Sequence, residues 1–217
     1  VLLDATAARV RDNSSTSYVD AVASAFNGDL VITCQPADAL HYRQLAPAAI
    51  IETGPRAIRY RWVRMLWRQF ALPRIARRHD VDAVHSPWPP VPVLLTRPRV
   101  VTVHDLGFFD DDAPVGQRSL LRRLAVRAAV RISDEVIVPG ADTAAALERA
   151  TMFPASEALV LPAIEHRDAF AAAHRVAYRS AASLVPAATG PIALPHLDDG
   201  SRVAPRPVDG RGPEASH

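Results

Sequence analysis

Two apolar segments of the chain end in histidine: Asp82-Ala83-Val84-His85-Ser86-Pro87, and Val100-Val101-Thr102-Val103-His104-Asp105-Leu106. An imidazole at a strand end can hydrogen-bond a hydroxylated ligand or move a proton, because its pKa lies near working pH. The plainer reading is a capped strand whose His and Asp satisfy loop backbone groups. His85 fits that reading better than the ligand one, and His104-Asp105 fits either. Other chemistries have no support. The chain contains no Gly-x-Ser-x-Gly elbow and no His-Glu-x-x-His site. The lone Cys34 ends an apolar run and reads as a small buried hydrophobe. His166, His174, His196 and His217 lack ligand spacing, so no metal site is expected. All 25 basic residues are Arg, which excludes a Schiff-base or P-loop lysine. Phosphate would have to be held by Arg, by backbone N–H groups or by a helix N-terminus.

The elements that must position these residues alternate along the chain. Short runs rich in Val and Ile occupy about 1–5, 29–34, 48–53, 81–86, 99–105, 135–139 and 158–162. They lack polar alternation, as expected of strands buried on both faces of a parallel sheet. Helical stretches at about 16–27, 57–79, 117–132 and 141–150 lie between them. Strand, helix, strand in repeated order predicts an α/β, Rossmann-like, doubly wound and mainly parallel sheet. Ligands of such sheets sit beyond the strands' carboxyl ends. Ser86-Pro87-Trp88-Pro89-Pro90-Val91-Pro92 must be a loop, because its prolines remove donors and bias their predecessors to extended backbone. A second loop runs from His104 through Asp110–Asp112 to Pro114, on the same sheet edge.

Length and composition bound the answer. The chain has 217 residues, 49% of them apolar and 22% charged, with a net charge of +2. That suits one domain plus extra, and the mild charge does not imply nucleic acid. No apolar stretch approaches a transmembrane span, and no secretory leader pattern opens the chain, which reads as cytoplasmic. The absence of Lys beside abundant Ala, Arg and Pro suggests a GC-rich genome. Residues 186–217 hold six prolines and four glycines, and the domain is expected at 1–164 with a poorly ordered, Pro/Gly-rich tail over 165–217.

One basic stretch stands apart. Residues 56–78 carry Arg56, Arg59, Arg61, Arg64, Arg68, Arg74, Arg77 and Arg78 among Tyr60, Trp62, Trp67 and Phe70. Apolar residues recur at helical spacing, and Pro73 is expected to bend or end the first helix. Such a helix can lie on an anionic membrane, with Arg64, Arg68 and Arg74 as candidate contacts. Nucleic-acid contact by Arg and aromatics is a weaker alternative. The favoured reading is a solvated helix whose Trp and Leu pack on the sheet.

Taken in order, several segments resemble landmarks of glycosyltransferase family 4. They are Val1-Leu2-Leu3-Asp4-Ala5, Leu66-Trp67-Arg68-Gln69-Phe70-Ala71-Leu72-Pro73, Asp82–Pro87 and Thr102–Leu106. Ala128–Val138, with Ser133-Asp134-Glu135-Val136-Ile137-Val138, resembles that family's strand near the end of its first domain. Ala158-Leu159-Val160-Leu161-Pro162 resembles the last strand before the interdomain linker. The likeness covers about residues 1–164 and is similar to the N-terminal, acceptor-side domain of a GT-B enzyme.

The resemblance implies transfer of a sugar from a nucleotide-sugar donor to a saccharide or lipid-linked acceptor. It implies retention of configuration, no bound metal and no other cofactor, as in polysaccharide biosynthesis. It puts His104 near the reacting sugars as the catalytic histidine, with His85, Trp88 and Asp105 on the acceptor side. Ser14, Ser15 and Thr16 fall in the vicinity of the donor phosphates. The chain departs from the family pattern in three respects. The turn after the first strand, Arg9 to Thr16, has no glycine, and Pro139-Gly140 stands where a serine is common. Nothing in 165–217 resembles the donor-binding domain, beyond a faint interdomain echo at Asp168-Ala169-Phe170. The expectation is therefore a truncated or frame-shifted enzyme, inactive alone. The alternative is a non-catalytic acceptor-binding or membrane-docking module, peripheral to the inner face of the cell membrane and completed by a separate donor-binding chain.

Overall fold

The structure is a computed structural model of the 217-residue chain. It describes residues 1–8, 13–26, 28–109 and 117–184, with the side chains of residues 13–16, 108 and 117–119 outside the description.

Seven parallel strands form one sheet: β1 (Leu2–Asp4), β2 (Val31–Cys34), β3 (Ile50–Thr53), β4 (Val84–Ser86), β5 (Arg99–Thr102), β6 (Glu135–Val138) and β7 (Leu159–Val160). Their order is β3-β2-β1-β4-β5-β6-β7. The α/β, Rossmann-like fold expected from the alternation is therefore the fold observed. The chain reverses its direction of travel across the sheet between β1 and β4, which makes the carboxyl ends of those strands the switch point.

Among the described residues six α-helices cover the two faces: α1 (Asn13–Ala25), α2 (Ala39–Leu45), α3 (Arg61–Arg78), α4 (Gln117–Ile132), α5 (Ala141–Thr151) and α6 (Arg167–Ser183). The pleat sorts the side chains. Leu3, Ile32, Val100 and Ile137 join a core with Tyr18, Val19 and Val22 of α1, Tyr42 of α2, and Phe170 and Tyr178 of α6. Leu2, Val31 and Val84 face the other way, onto Leu72, Ile75 and Ala76 of α3. Val101, Val136 and Val138 pack beneath Val126 and Val130 of α4 and Leu147 of α5.

Three sequence expectations change. Of the bend or end expected at Pro73, the end is excluded: α3 runs on to Arg78, within the helical stretch expected at about 57–79. Leu72, Pro73, Ile75 and Ala76 are all buried, so packing holds both halves despite the missing donor. The short α2 has no counterpart in the sequence reading. The tail expected from 165 begins with a helix instead. Along α6, Phe170, Ala171, His174, Ala177, Tyr178 and Ala181 are buried at helical spacing. They pack on β5, β6 and α1. Burying Phe170 and Tyr178 contributes about 1.5–3 kcal/mol each. Residues 185–217, the rest of the expected tail, lie outside the described residues.

Candidate functional site

A cavity of about 1020 Å³ opens over the carboxyl edge of the sheet. Arg61, Trp62, Arg64, Met65 and Arg68 of α3 form one wall, and Leu121, Arg122, Leu124 and Val126 of α4 another. Trp88, Pro89 and Pro90 close a third side, and Val103, His104, Asp105 and Tyr18 form the base. The size suits a ligand larger than a monosaccharide.

The Pro-rich loop is pinned from beneath. The Arg99 guanidinium donates to the carbonyls of Pro92 (3.3 Å), Val93 (3.2 Å) and Leu95 (2.6 Å). The Gln69 Oε1 accepts from the Val93 N–H at 2.9 Å. Trp88 is thereby held with its ring centroid 5.9 Å from that of His104. A buried ion pair adds a second anchor, between Arg68 Nε and Asp4 Oδ2. Asp4 Oδ1 accepts from the Thr6 N–H (3.1 Å) and hydroxyl (2.6 Å), while Arg68 Nη2 donates to the Trp88 carbonyl at 3.3 Å. Strand β1, helix α3 and the Trp88 loop are joined through one guanidinium.

His104 is held in one tautomer. Its ring packs edge-on against Tyr18, with centroids 4.5 Å apart. Burial lowers its pKa to about 4, against a hydrogen bond to the Pro87 carbonyl that raises it, so the ring is neutral at pH 7. Nε2 is buried without a partner among the described residues, so Nδ1–H is the group on Pro87. A neutral ring with Nδ1 protonated leaves a lone pair on Nε2. Asp105 is exposed and turns the following loop, its Oδ1 accepting from the Gly107 N–H at 2.8 Å.

His85 is corrected. It is fully buried and both ring nitrogens are taken, so it does not reach an acceptor. Its side chain points to the α1 and α6 face, where it belongs to a directed hydrogen-bond relay. His174 Nδ1 lies 2.9 Å from the Phe170 carbonyl, which can only accept. Burial brings the His174 pKa down to about 4, so the ring is neutral and Nε2 must accept from the Tyr18 hydroxyl at 2.8 Å. Tyr18 then accepts from Thr102 (2.8 Å), and Thr102 accepts from His85 Nε2–H (2.8 Å). His85 Nδ1 accepts from Tyr178 at 2.8 Å. Burial, and then the nearby His174 and His104, hold His85 well below the usual histidine range. Every polar group of the chain Tyr178–His85–Thr102–Tyr18–His174 is satisfied, as its burial requires.

The remaining candidates divide. Arg64 lines the cavity and Arg74 is exposed. Arg68 is corrected as a membrane contact, because its guanidinium is buried on Asp4. The reading of α3 as a helix whose Trp and Leu pack on the sheet holds for Trp67 and Leu72, but Trp62, Leu66 and Phe70 face outward. Ser14, Ser15 and Thr16 fall in the first turn of α1, with side chains outside the described residues. Cys34 is buried, and its thiol is pushed up to about 12 by that burial. Among the described residues no group of three His, Cys, Asp or Glu is placed to hold a metal ion, and no helix is long and apolar enough to cross a membrane. Sequence reasoning missed Tyr18, Thr102, His174 and Tyr178. The only signal was the spacing of Phe170, His174, Tyr178 and Ala181, weakened by small and polar residues.

Comparison with known proteins supplies the lineage. The crystal structure of Anabaena Alr3699/HepE in complex with UDP-glucose is similar with a TM-score of 0.49 and 16% identity, over 74% of this chain and 42% of that one. The same protein with UDP and glucose is similar with a TM-score of 0.47 and 15% identity, over 74% and 43%. The chain thus spans less than half the length of those structures. No curated protein matches it in sequence. The family model for Glycosyltransferase Family 4 matches residues 26–163, well over half of the chain. On that match, the chain belongs to glycosyltransferase family 4.

Proposed function

We propose that this domain is the acceptor-side half of an enzyme that moves a sugar from a nucleotide-sugar donor to a hydroxyl of a saccharide or lipid-linked saccharide. The observation that carries the reading is His104: a neutral imidazole with an unpartnered Nε2 lone pair, at the base of a large cavity walled by Arg and Trp. A neutral Nε2 accepts a hydrogen bond from a sugar hydroxyl, and the Pro87 carbonyl holds the ring in the tautomer that does so. The Trp88 ring offers an apolar face to a pyranose, and Arg61 and Arg64 make the mouth attractive to anionic groups.

Retention of configuration and independence from a metal enter the proposal from family membership. The groups that grip the donor are assigned to a second Rossmann-like unit facing this cavity, and closure of the two would exclude water and align the reactants. Oligosaccharide binding to the 217-residue chain, followed by saturation-transfer NMR, tests the reading. His104→Ala is expected to weaken binding at least about tenfold while keeping the wild-type circular dichroism, since it removes a hydrogen bond to a bound hydroxyl. No saccharide binding, or binding indifferent to His104→Ala, would refute the acceptor site. Turnover of a sugar nucleotide by the chain alone would refute the assignment of the donor groups to another unit.

A further inference from the structure

The cavity is bordered by apolar surface left bare on two helices. On α3, Trp62, Leu66 and Phe70 are 64%, 57% and 53% exposed. Their spacing of four puts them in one stripe, which ends at the exposed Arg74. Across the cavity, Leu120, Leu121 and Leu124 of α4 are 57%, 44% and 52% exposed. Trp62, Leu121 and Leu124 also line the cavity, so stripe and mouth are continuous. Helix α3 carries six arginines and no carboxylate, and α4 carries five and none.

We propose that this two-helix rim docks on an anionic lipid bilayer. Trp62, Leu66, Phe70 and the α4 leucines sink to the headgroup–acyl boundary, while Arg61 and Arg74 reach lipid phosphates. The cavity mouth then opens at the membrane surface, and an acceptor carried on a lipid enters without leaving the bilayer. Only that entry route rests on the glycosyltransferase reading; the docking does not.

Charge and shape select this occupant. A second copy paired symmetrically would set arginine against arginine. Nucleic acid would satisfy the arginines, but bare Leu66, Leu120, Leu121 and Leu124 gain nothing from stacked bases. A bilayer takes both the aliphatic stripe and the cations beside it.

Cosedimentation of the full chain with vesicles of phosphatidylcholine and phosphatidylglycerol, mixed at about 7:3, tests the proposal. Wild type is expected to pellet with them and not with pure phosphatidylcholine. Each basic residue at an anionic surface is worth about fivefold, so R61Q/R74Q should lose about 25-fold in partitioning. W62S/L66S/F70S should lose roughly a hundredfold. Both variants change exposed side chains and should keep the wild-type Tm and circular dichroism. Absence of wild-type binding, equal binding to pure phosphatidylcholine or variants that bind like wild type would overturn the proposal. So would a homopolymeric RNA bound in place of vesicles, or a dimer that W62S/L66S/F70S dissolves. His104-dependent saccharide binding is measured without vesicles, so either reading can fail alone.

Discussion

Acid should unfold this domain through His174. The ring is fully buried, gives its Nδ1–H to the Phe170 carbonyl and receives the Tyr18 hydroxyl at Nε2, so it has no room for a second proton. Its pKa falls from 6.5 to about 4 on folding, chiefly because burial disfavours the cation. With the folded value depressed, the unfolded chain binds the extra proton. The contribution is therefore whole above pH 6.5 and is lost as pH falls toward 4. Between pH 7 and 5 the loss from this one group is about 2 kcal/mol. That is a large part of the 5–15 kcal/mol that about covers ordinary domains. His85, also buried and also depressed, acts in the same direction. Urea unfolding followed by circular dichroism at the two pH values reads the effect. With a slope of about 2 kcal/mol/M, the wild-type midpoint should fall by about 1 M or more. His174→Gln keeps an acceptor for Tyr18 and cannot titrate, so its midpoint should fall by about 1 M less than wild type's. An unchanged wild-type midpoint, or a His174→Gln variant that retains the full shift, would refute the directed relay.

Two further substitutions probe the supports of the site. Asp4→Ala leaves the Arg68 guanidinium buried without its carboxylate and should cost about 3–5 kcal/mol, whereas Asp4→Asn with Arg68→Met should recover most of it; a thermal or urea double-mutant cycle with no coupling would remove the ion pair from the account. Gly54→Ala places a methyl 2.7 Å from Ile58 Cδ1 and 3.2 Å from the Trp67 ring. It should destabilise by about 1–3 kcal/mol, and a variant with the wild-type Tm would show that the α3 entry can give way.

The order of elements was legible because each strand is a short Val- and Ile-rich run and each crossover carries a helix, so local pattern and parallel pairing agree. The loops at Trp88 and Asp105 were legible for a local reason as well: prolines and a strand end dictate them wherever the chain goes. His104 could be singled out from its place after a strand, but not its tautomer, which the Pro87 carbonyl sets from the neighbouring strand's loop. Helix α6 was obscured because its buried face is built largely of alanine and histidine, which carry little hydrophobic signal. The division of α3 was hidden too. Trp62 and Trp67 are one residue type five positions apart, yet one faces out and the other packs against the buried core under α3, beside Gly54.

By itself, then, the sequence determined the alternation, the sheet edge where chemistry belongs and the family likeness, all of which depend on residues near one another in the chain. Only the tertiary structure decided which histidine borders the cavity and which is sealed beneath the helices. His85 and Tyr178 are 93 positions apart and Tyr18 and His174 are 156, and the partners that bury one imidazole and free another meet only when α1 and α6 close over the sheet. A side chain's proton state is set by what surrounds it in space, and spacing along the chain does not carry that information.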